Sequence, residues 1–252
     1  MELTETAAVV TGGASGLGAA TVAALAERGA QVFALDLPAS IEAAPQVRGV
    51  TYVAADVTSP DDVRRAVALA TEAGVPLRTV VSCAGIGPSM RILGKKGVHD
   101  LDLFAKIVQV NLVGTFTVMA LAAEAIARTE PDAHGQRGVV VNTASIAAFD
   151  GQVGQAAYAS SKGGIVGLTL PAARDLAQYG IRVCTIAPGI VDTPLLATVS
   201  DEFRAGLAAG VPFPSRLARP DEFARMVTMV VEHDYLNGET IRMDGALRMA
   251  PR

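Results

Sequence analysis

"AAVVTGGASGLGAATVAALAERG", residues 7 to 29, changes character twice. It opens with a short apolar run, AAVVTG (7–12), that has the composition of a buried strand. It closes with LGAATVAALAERG (17–29), apolar at helical spacing and stopped by Gly29. Between them lies TGGASGLG (11–18), a turn built on Gly12, Gly16 and Gly18. Glycine permits tight-turn dihedrals and lets a phosphate approach the backbone. A helix start just behind such a turn offers free N–H groups and a positive dipole end. The spacing is G-x-x-x-G-x-G rather than G-x-G-x-x-G, so its position between strand and helix carries the argument.

The same alternation runs along the 252 residues. Strands are expected at 31–36, 49–56, 79–85, 138–145, 181–189 and 239–245. Helices are expected at 59–74, 101–128, 153–179 and 220–233, the first of these with Ser59 as N-cap and Pro60 in its first turn. Strands alternating with helices imply parallel pairing through right-handed crossovers. The expected fold is an α/β, Rossmann-type, doubly wound sheet of seven parallel strands with helices on both faces. It forms one dinucleotide-binding and catalytic domain over 1–252, with an irregular substrate loop at about 190–219. Ligands of such folds bind beyond the carboxyl ends of the strands.

Composition narrows the classes. The net charge of -4 lacks the basic surface of a nucleic-acid binder, and no uninterrupted apolar run has the roughly 18 residues of a membrane span. No targeting pattern is visible at the start, which points to a cytoplasmic protein. Cys83 and Cys184 lie in apolar runs and read as reduced, buried thiols. His99, His134 and His233 are far apart, and no metal site is expected.

Asp36 ends the second strand, 18 residues after Gly18. An acid there accepts hydrogen bonds from ribose hydroxyls and repels a 2′-phosphate, and LPAS after it holds no cation. The cofactor reading is therefore NAD. Asp56 ends the third strand and could reach the adenine or serve the following helix.

Ser145 ends the fifth strand, and Tyr158 and Lys162 stand one helical turn apart. A free Tyr titrates near 10 and is a poor base at neutral pH. A neighbouring ammonium favours the phenolate, so Lys162 is expected to lower the Tyr158 pKa. Tyr158 would then take the proton of a substrate alcohol while Ser145 holds its oxygen. Lys162 would also bond a nicotinamide ribose.

These residues, in this order, resemble the short-chain dehydrogenase/reductase family over nearly the whole chain. The matching motifs are Thr11-Gly12-x3-Gly16-x-Gly18, Ala84-Gly85, Asn111, Ser145, Tyr158-x3-Lys162, and Pro188-Gly189 with Thr193. The resemblance implies catalysis by Ser145, Tyr158 and Lys162, with Asn111 anchoring a proton-relay water. It places the segment after Pro188-Gly189 at the nicotinamide, with Thr193 at its amide. Ser82-Cys83 stands where many members have Asn-Asn, which leaves the packing of that turn open. Longer matches, including NTASIAAFDGQVGQAAYASSKGGIVGLTLPAARDLA and VPFPSRLARPDEFA, resemble the type II 3-hydroxyacyl-CoA dehydrogenases, also described as 17β-hydroxysteroid dehydrogenase type 10. That resemblance implies cofactor contacts at Ser15, Leu17, Asp36, Asp56, Val57, Cys83, Tyr158, Lys162 and Val191, and a homotetramer. The implied substrate is a short or branched 3-hydroxyacyl-CoA, with a steroid or other secondary alcohol as alternative. Gln155 is a candidate polar contact. Lys95 and Lys96, the only Lys-Lys pair, could hold the phosphates of coenzyme A or be solvated loop residues.

Overall fold

The structure, a computed structural model, describes residues 1–95, 97–196 and 200–251. In chain order its elements are β1 (Ala7–Thr11), α1 (Gly16–Glu27), β2 (Gln31–Asp36), α2 (Pro38–Glu42), β3 (Val50–Ala54), α3 (Pro60–Thr71) and β4 (Leu77–Ser82). There follow β5 (Leu93–Gly94), β6 (Gly97–Val98), α4 (Leu101–Val108), α5 (Thr115–Ile126), β7 (Gly138–Thr143), α6 (Ala147–Asp150) and α7 (Ala156–Ala177). The chain ends with β8 (Ile181–Pro188), α8 (Asp201–Ala209), α9 (Pro220–Glu232) and β9 (Thr240–Met243).

Seven strands form one sheet in the order β3-β2-β1-β4-β7-β8-β9, all parallel, as the alternating pattern requires. The four central strands β1, β4, β7 and β8 are buried along their whole length, which explains why they are so nearly apolar. Alternate side chains feed two cores. Val9, Val80, Val140 and Val183 pack with α3 and α5 on one face. Val10, Val81, Val139, Val141 and Ile186 pack with α1 and α9 on the other. The strand order reverses between β1 and β4, so a crevice opens at their carboxyl ends, where the Gly-rich turn lies.

The elements differ from the sequence pattern in several places. The helix expected over 101–128 is interrupted by a π-helical stretch, Gln109–Gly114, between α4 and α5. The segment 190–219 is not irregular throughout: it holds α8, N-capped by Ser200, whose hydroxyl accepts from Phe203 N at 3.2 Å. Residues 93–98 are a small antiparallel ribbon, with Leu93 opposite Val98 and Gly94 opposite Gly97. The continuous helix Leu101–Ile126 is also long and apolar enough, by length and composition, to cross a membrane. Here one of its faces is core, with Ile107, Val118, Met119, Ala122 and Ile126 buried. The predicted cap of α3 is present: Ser59 Oγ accepts from Asp62 N at 3.3 Å.

Candidate active site

The crevice is built by close backbone approach. Thr11 Oγ1 accepts from Ala84 N at 3.1 Å, and Cys83 N donates to Thr11 O at 3.2 Å, so the ends of β1 and β4 are tied together. Gly12 has φ +66°, and a Cβ on it would lie 2.8 Å from Ala84 N. A Cβ on Gly18 would fall on the Gly12 carbonyl. Only glycine lets α1 rise this close behind the turn. Ser15 is the N-cap of α1, yet its side chain makes no capping bond, and the first turn holds no acid. The N-termini of α3 and α9 are both capped and acidic. The first N–H groups of α1, with Leu17 beside Gly16, are thus left for an external anion, and this cradle fits the pyrophosphate of a dinucleotide. At its edge, Asp36 Oδ2 accepts from Ala14 N at 3.0 Å and Oδ1 from Leu37 N at 2.8 Å. The carboxylate is fixed beside the turn with lone pairs remaining for hydroxyl donors.

Asp56 does not cap α3. Its Oδ1 accepts from Thr58 N and Thr58 Oγ1, a local turn, while Ser59 takes the cap. Val57 is buried, and a Cβ on Gly114 would meet it at 2.8 Å, so it packs under the π-helical turn. Cys83 lies within reach of Thr143 Oγ1, 3.7 Å from its sulfur. Burial pushes its thiol up to about 11, so it is a neutral wall group rather than a nucleophile.

The chemistry-bearing side chains meet one step further along the crevice. Ser145 follows β7, and its Oγ accepts from Ala147 N at 3.1 Å. Ile146 N donates to Pro188 O at 3.0 Å, which ties this corner to the end of β8. Tyr158 stands in the first turn of α7 and Lys162 in the second. Lys162 Nζ donates to Thr143 O at 2.8 Å and lies 5.8 Å from the centre of the Tyr158 ring. Gly85 and Gly87 line the same corner: a Cβ on Gly85 would sit 3.6 Å from Lys162 Nζ, and one on Gly87 3.5 Å from the Tyr158 ring, both ordinary contact distances. Asn111, in the π-helical turn, is fully buried. Its Nδ2 donates to Ile86 O at 2.9 Å and Ser161 Oγ at 3.0 Å, and its Oδ1 accepts from Ile86 N at 2.8 Å. It therefore locks the loop after β4 to α7.

The electrostatics correct one expectation. Burial raises the Tyr158 phenol above its ordinary value, and the Ser145 hydroxyl pulls weakly the other way. Burial outweighs the lowering expected of Lys162, whose ammonium donates to the Thr143 carbonyl. Burial also brings Lys162 down to about 8.

The outer residues are distributed as follows. The β8 end, Pro188 and Gly189, is held by Gly189 N donating to Met243 O at 2.9 Å. Val191 bridges Ala218, pinning the base of the 190–219 segment. Thr193 faces the Gly-rich turn, 3.6 Å from a Cβ placed on Gly16. Gln155 Oε1 accepts from Gln152 N at 3.0 Å, so its carbonyl serves its own turn. Lys95 is exposed on the ribbon, and Lys96 lies outside the described residues. Among the described residues no His, Cys, Asp and Glu group could hold a metal. Two groups that the sequence did not single out complete the site: the Thr143 carbonyl and the buried Ser161 hydroxyl. Ser161 was findable as a small polar residue beside Lys162, but a main-chain acceptor leaves no trace in residue type.

The sequence pattern of the family described as short chain dehydrogenase matches residues 6–203. The chain belongs to the short-chain dehydrogenase family. Enzymes of this family are oxidoreductases that use a nicotinamide cofactor, and this chain is one of them. It is 52% identical over 249 residues to the 3-hydroxyacyl-CoA dehydrogenase type-2 of Bos taurus, covering 97% of this chain and 95% of the relative. It is 35% identical over 244 residues to an ipsdienol dehydrogenase of Ips pini, covering 95% and 96%. A crystal structure of 3-hydroxyacyl-CoA dehydrogenase type-2 from Mycobacterium avium superposes with a TM-score of 0.92 at 42% identity, covering 98% of each chain. In this short-chain dehydrogenase the matched span runs from the cradle through Thr193, so it contains every catalytic candidate.

Proposed function

We propose that this enzyme oxidises the 3-hydroxyl of a short or branched 3-hydroxyacyl-CoA to the 3-oxoacyl-CoA, with NAD as the hydride acceptor. The observation that carries the reading is Ser145, Tyr158 and Lys162 gathered beside an uncapped, glycine-lined helix start. The names of the relatives supply the substrate class. Asp36 favours NAD because its carboxylate would repel a 2′-phosphate, and Leu37-Pro38 after it supplies no cation.

When bound, the nicotinamide accepts a hydride and brings a positive charge beside Tyr158. The chain's own groups do the rest. Ser145 Oγ hydrogen-bonds the substrate oxygen and orients its carbon. Tyr158 Oη takes the hydroxyl proton as the C–H bond gives up its hydride and the carbonyl forms. Lys162, held by the Thr143 carbonyl, would offer its remaining donors to the cofactor ribose. Asn111 keeps the floor of this route in place. Pro188, Gly189, Val191 and Thr193 line the nicotinamide side, and Ser15, Leu17, Asp56, Val57, Cys83 and Ala84 the nucleotide side. Gln155, Lys95 and Lys96 are proposed at the substrate mouth.

The proposal extends to a homotetramer, supported by exposed apolar side chains on α4 and α5. It extends also to a cytoplasmic location, supported by the free thiols Cys83 and Cys184. A second reading, oxidation of another secondary alcohol, is favoured by the ipsdienol dehydrogenase relative. The deciding experiment follows NADH absorbance with 3-hydroxyacyl-CoAs, hydroxysteroids and simple alcohols, each with NAD and NADP. A 3-hydroxyacyl-CoA with NAD is expected to give the highest kcat/KM. A higher value for a steroid or simple alcohol would replace the substrate reading, and equal use of NADP would remove the role given to Asp36.

A further inference from the structure

Two buried polar side chains lie side by side beneath the catalytic corner without partners. Ser82 and Asn142 are register partners on the adjacent strands β4 and β7. Asn142 is fully buried and Ser82 3% exposed. Among the described residues, neither Asn142 Nδ2, nor Asn142 Oδ1, nor Ser82 Oγ meets a hydrogen-bonding partner. The next strand carries Thr185 opposite Asn142, and its hydroxyl is satisfied by Thr169 Oγ1 of α7 at 2.6 Å. A polar row thus crosses β4, β7 and β8 on the face that α5 and α7 cover. Below it lie Val80, Val140 and Val183 of the large core, and above it Ala144 and Ala187 of a smaller cluster. On the other side Thr11 of β1 stands opposite Ser82 and its hydroxyl accepts from Ala84 N, so both ends of the row are paired and its middle is not.

Burying amide and hydroxyl groups unpaired is costly, and native proteins satisfy them. An internal water needs two to four polar partners, and the row supplies three in its unpaired middle. We propose that Ser82 and Asn142 form a binding site for internal water, and that Asn142 is through it a positioning residue for Lys162. Asn142 immediately precedes Thr143, whose carbonyl takes the Lys162 ammonium at 2.8 Å. Anchoring the Asn142 side chain fixes the end of β7, and with it the direction of that carbonyl.

The test sets shape against polarity. Asn142→Leu keeps the number and branching of the side-chain heavy atoms and removes the donor and acceptor. Asn142→Ser keeps the polarity and leaves space for a further water. If the site is hydrated, the Ser variant retains kcat within about threefold, and its pH–rate profile stays in place. The Leu variant then loses about tenfold or more in kcat, its profile moves, and it melts at a lower temperature. If Asn142 only fills space, the order reverses, because an apolar residue of similar shape relieves the unpaired amide. A Leu variant equal to or more stable than the wild type, with an unmoved profile, overturns the proposal. Should the Leu variant not fold, a crystal structure of the wild-type enzyme decides: ordered water within hydrogen-bonding distance of both Asn142 and Ser82 sustains the site, and a dry site ends it.

Discussion

Tyr158 is held with its proton on by its own surroundings, since burial raises the phenol more than the Ser145 hydroxyl lowers it. A positively charged nicotinamide bound beside it would favour the phenolate. Removing the hydroxyl removes the acceptor and little else. Tyr158→Phe should therefore lower kcat about 10²–10⁴-fold while cofactor affinity, measured by fluorescence titration, stays near wild type. Retention of more than a tenth of kcat would take the acid–base role away from Tyr158. Lys162 makes an independent, pH-resolved prediction. Its folded pKa of about 8 lies below the 10.5 of a free lysine. Between those values the unfolded chain binds the proton more tightly, so folding becomes more favourable as pH rises through that window. Below about 8 the full cost of burying the charge is present. Relative to Lys162→Met, which has no such group, the wild type should gain up to about 3 kcal/mol between pH 7 and pH 10.5. Denaturant melts of both proteins across this range measure the difference, and a flat difference would show that the ammonium is not buried as the geometry requires.

At the scale of elements, the parts written in side-chain type were legible and the parts written in backbone were not. Central strands announce themselves by unbroken apolar runs, and α3 by Ser59-Pro60. The Gly-rich turn gave both its position and its ligand class. The π-helical stretch at 109–114 was not visible, because a one-residue change of hydrogen-bond register leaves the apolar spacing of QVNLVG unchanged. Helix α8 was masked by the Pro and Leu around it, although Ser200 is a readable cap. Ser145, Tyr158 and Lys162 were found by residue type, whereas the Thr143 carbonyl was not. The net upward direction of the Tyr158 phenol was not legible, because adjacency on a helix says nothing of how deeply a ring is buried. The glycine logic of α1 can be tested directly. A Cβ at position 18 collides with the Gly12 carbonyl, and neither backbone can yield without breaking the β1–α1 turn. Gly18→Ala should cost about 1–3 kcal/mol of stability or more, and should abolish cofactor binding in whatever folds. Unchanged affinity by calorimetry would mean that α1 can retreat from β1, contrary to the packing described.

The whole molecule carries a net charge of -4 and keeps a set of large apolar side chains outside its two cores. Leu101, Phe104, Val113 and Phe116 are 76, 39, 39 and 51% exposed, all along the single helical run of α4, the π-helical turn and α5. Phe149 and Leu170, on α6 and α7, are 47% and 45% exposed. The opposite face of the same helical run is fully committed to the core through Ile107, Val118 and Ile126. A helix apolar on both faces has more to bury than one sheet can cover. Apolar patches with aromatic members, in place of charged residues, mark protein interfaces. In the proposed homotetramer, packing this helical run against its copies would bury the patch, and a second contact through another face would close the assembly. The wild type should therefore show a mass near four times 25.8 kDa by light scattering at micromolar concentration. Phe116→Glu places a charge in the middle of the patch, where dissociation is the cheaper outcome. It should shift the mass to that of a dimer or monomer without loss of helical circular dichroism. A monomeric wild type would end the tetramer reading. A Phe116→Glu variant that stays tetrameric would move the interface to another surface.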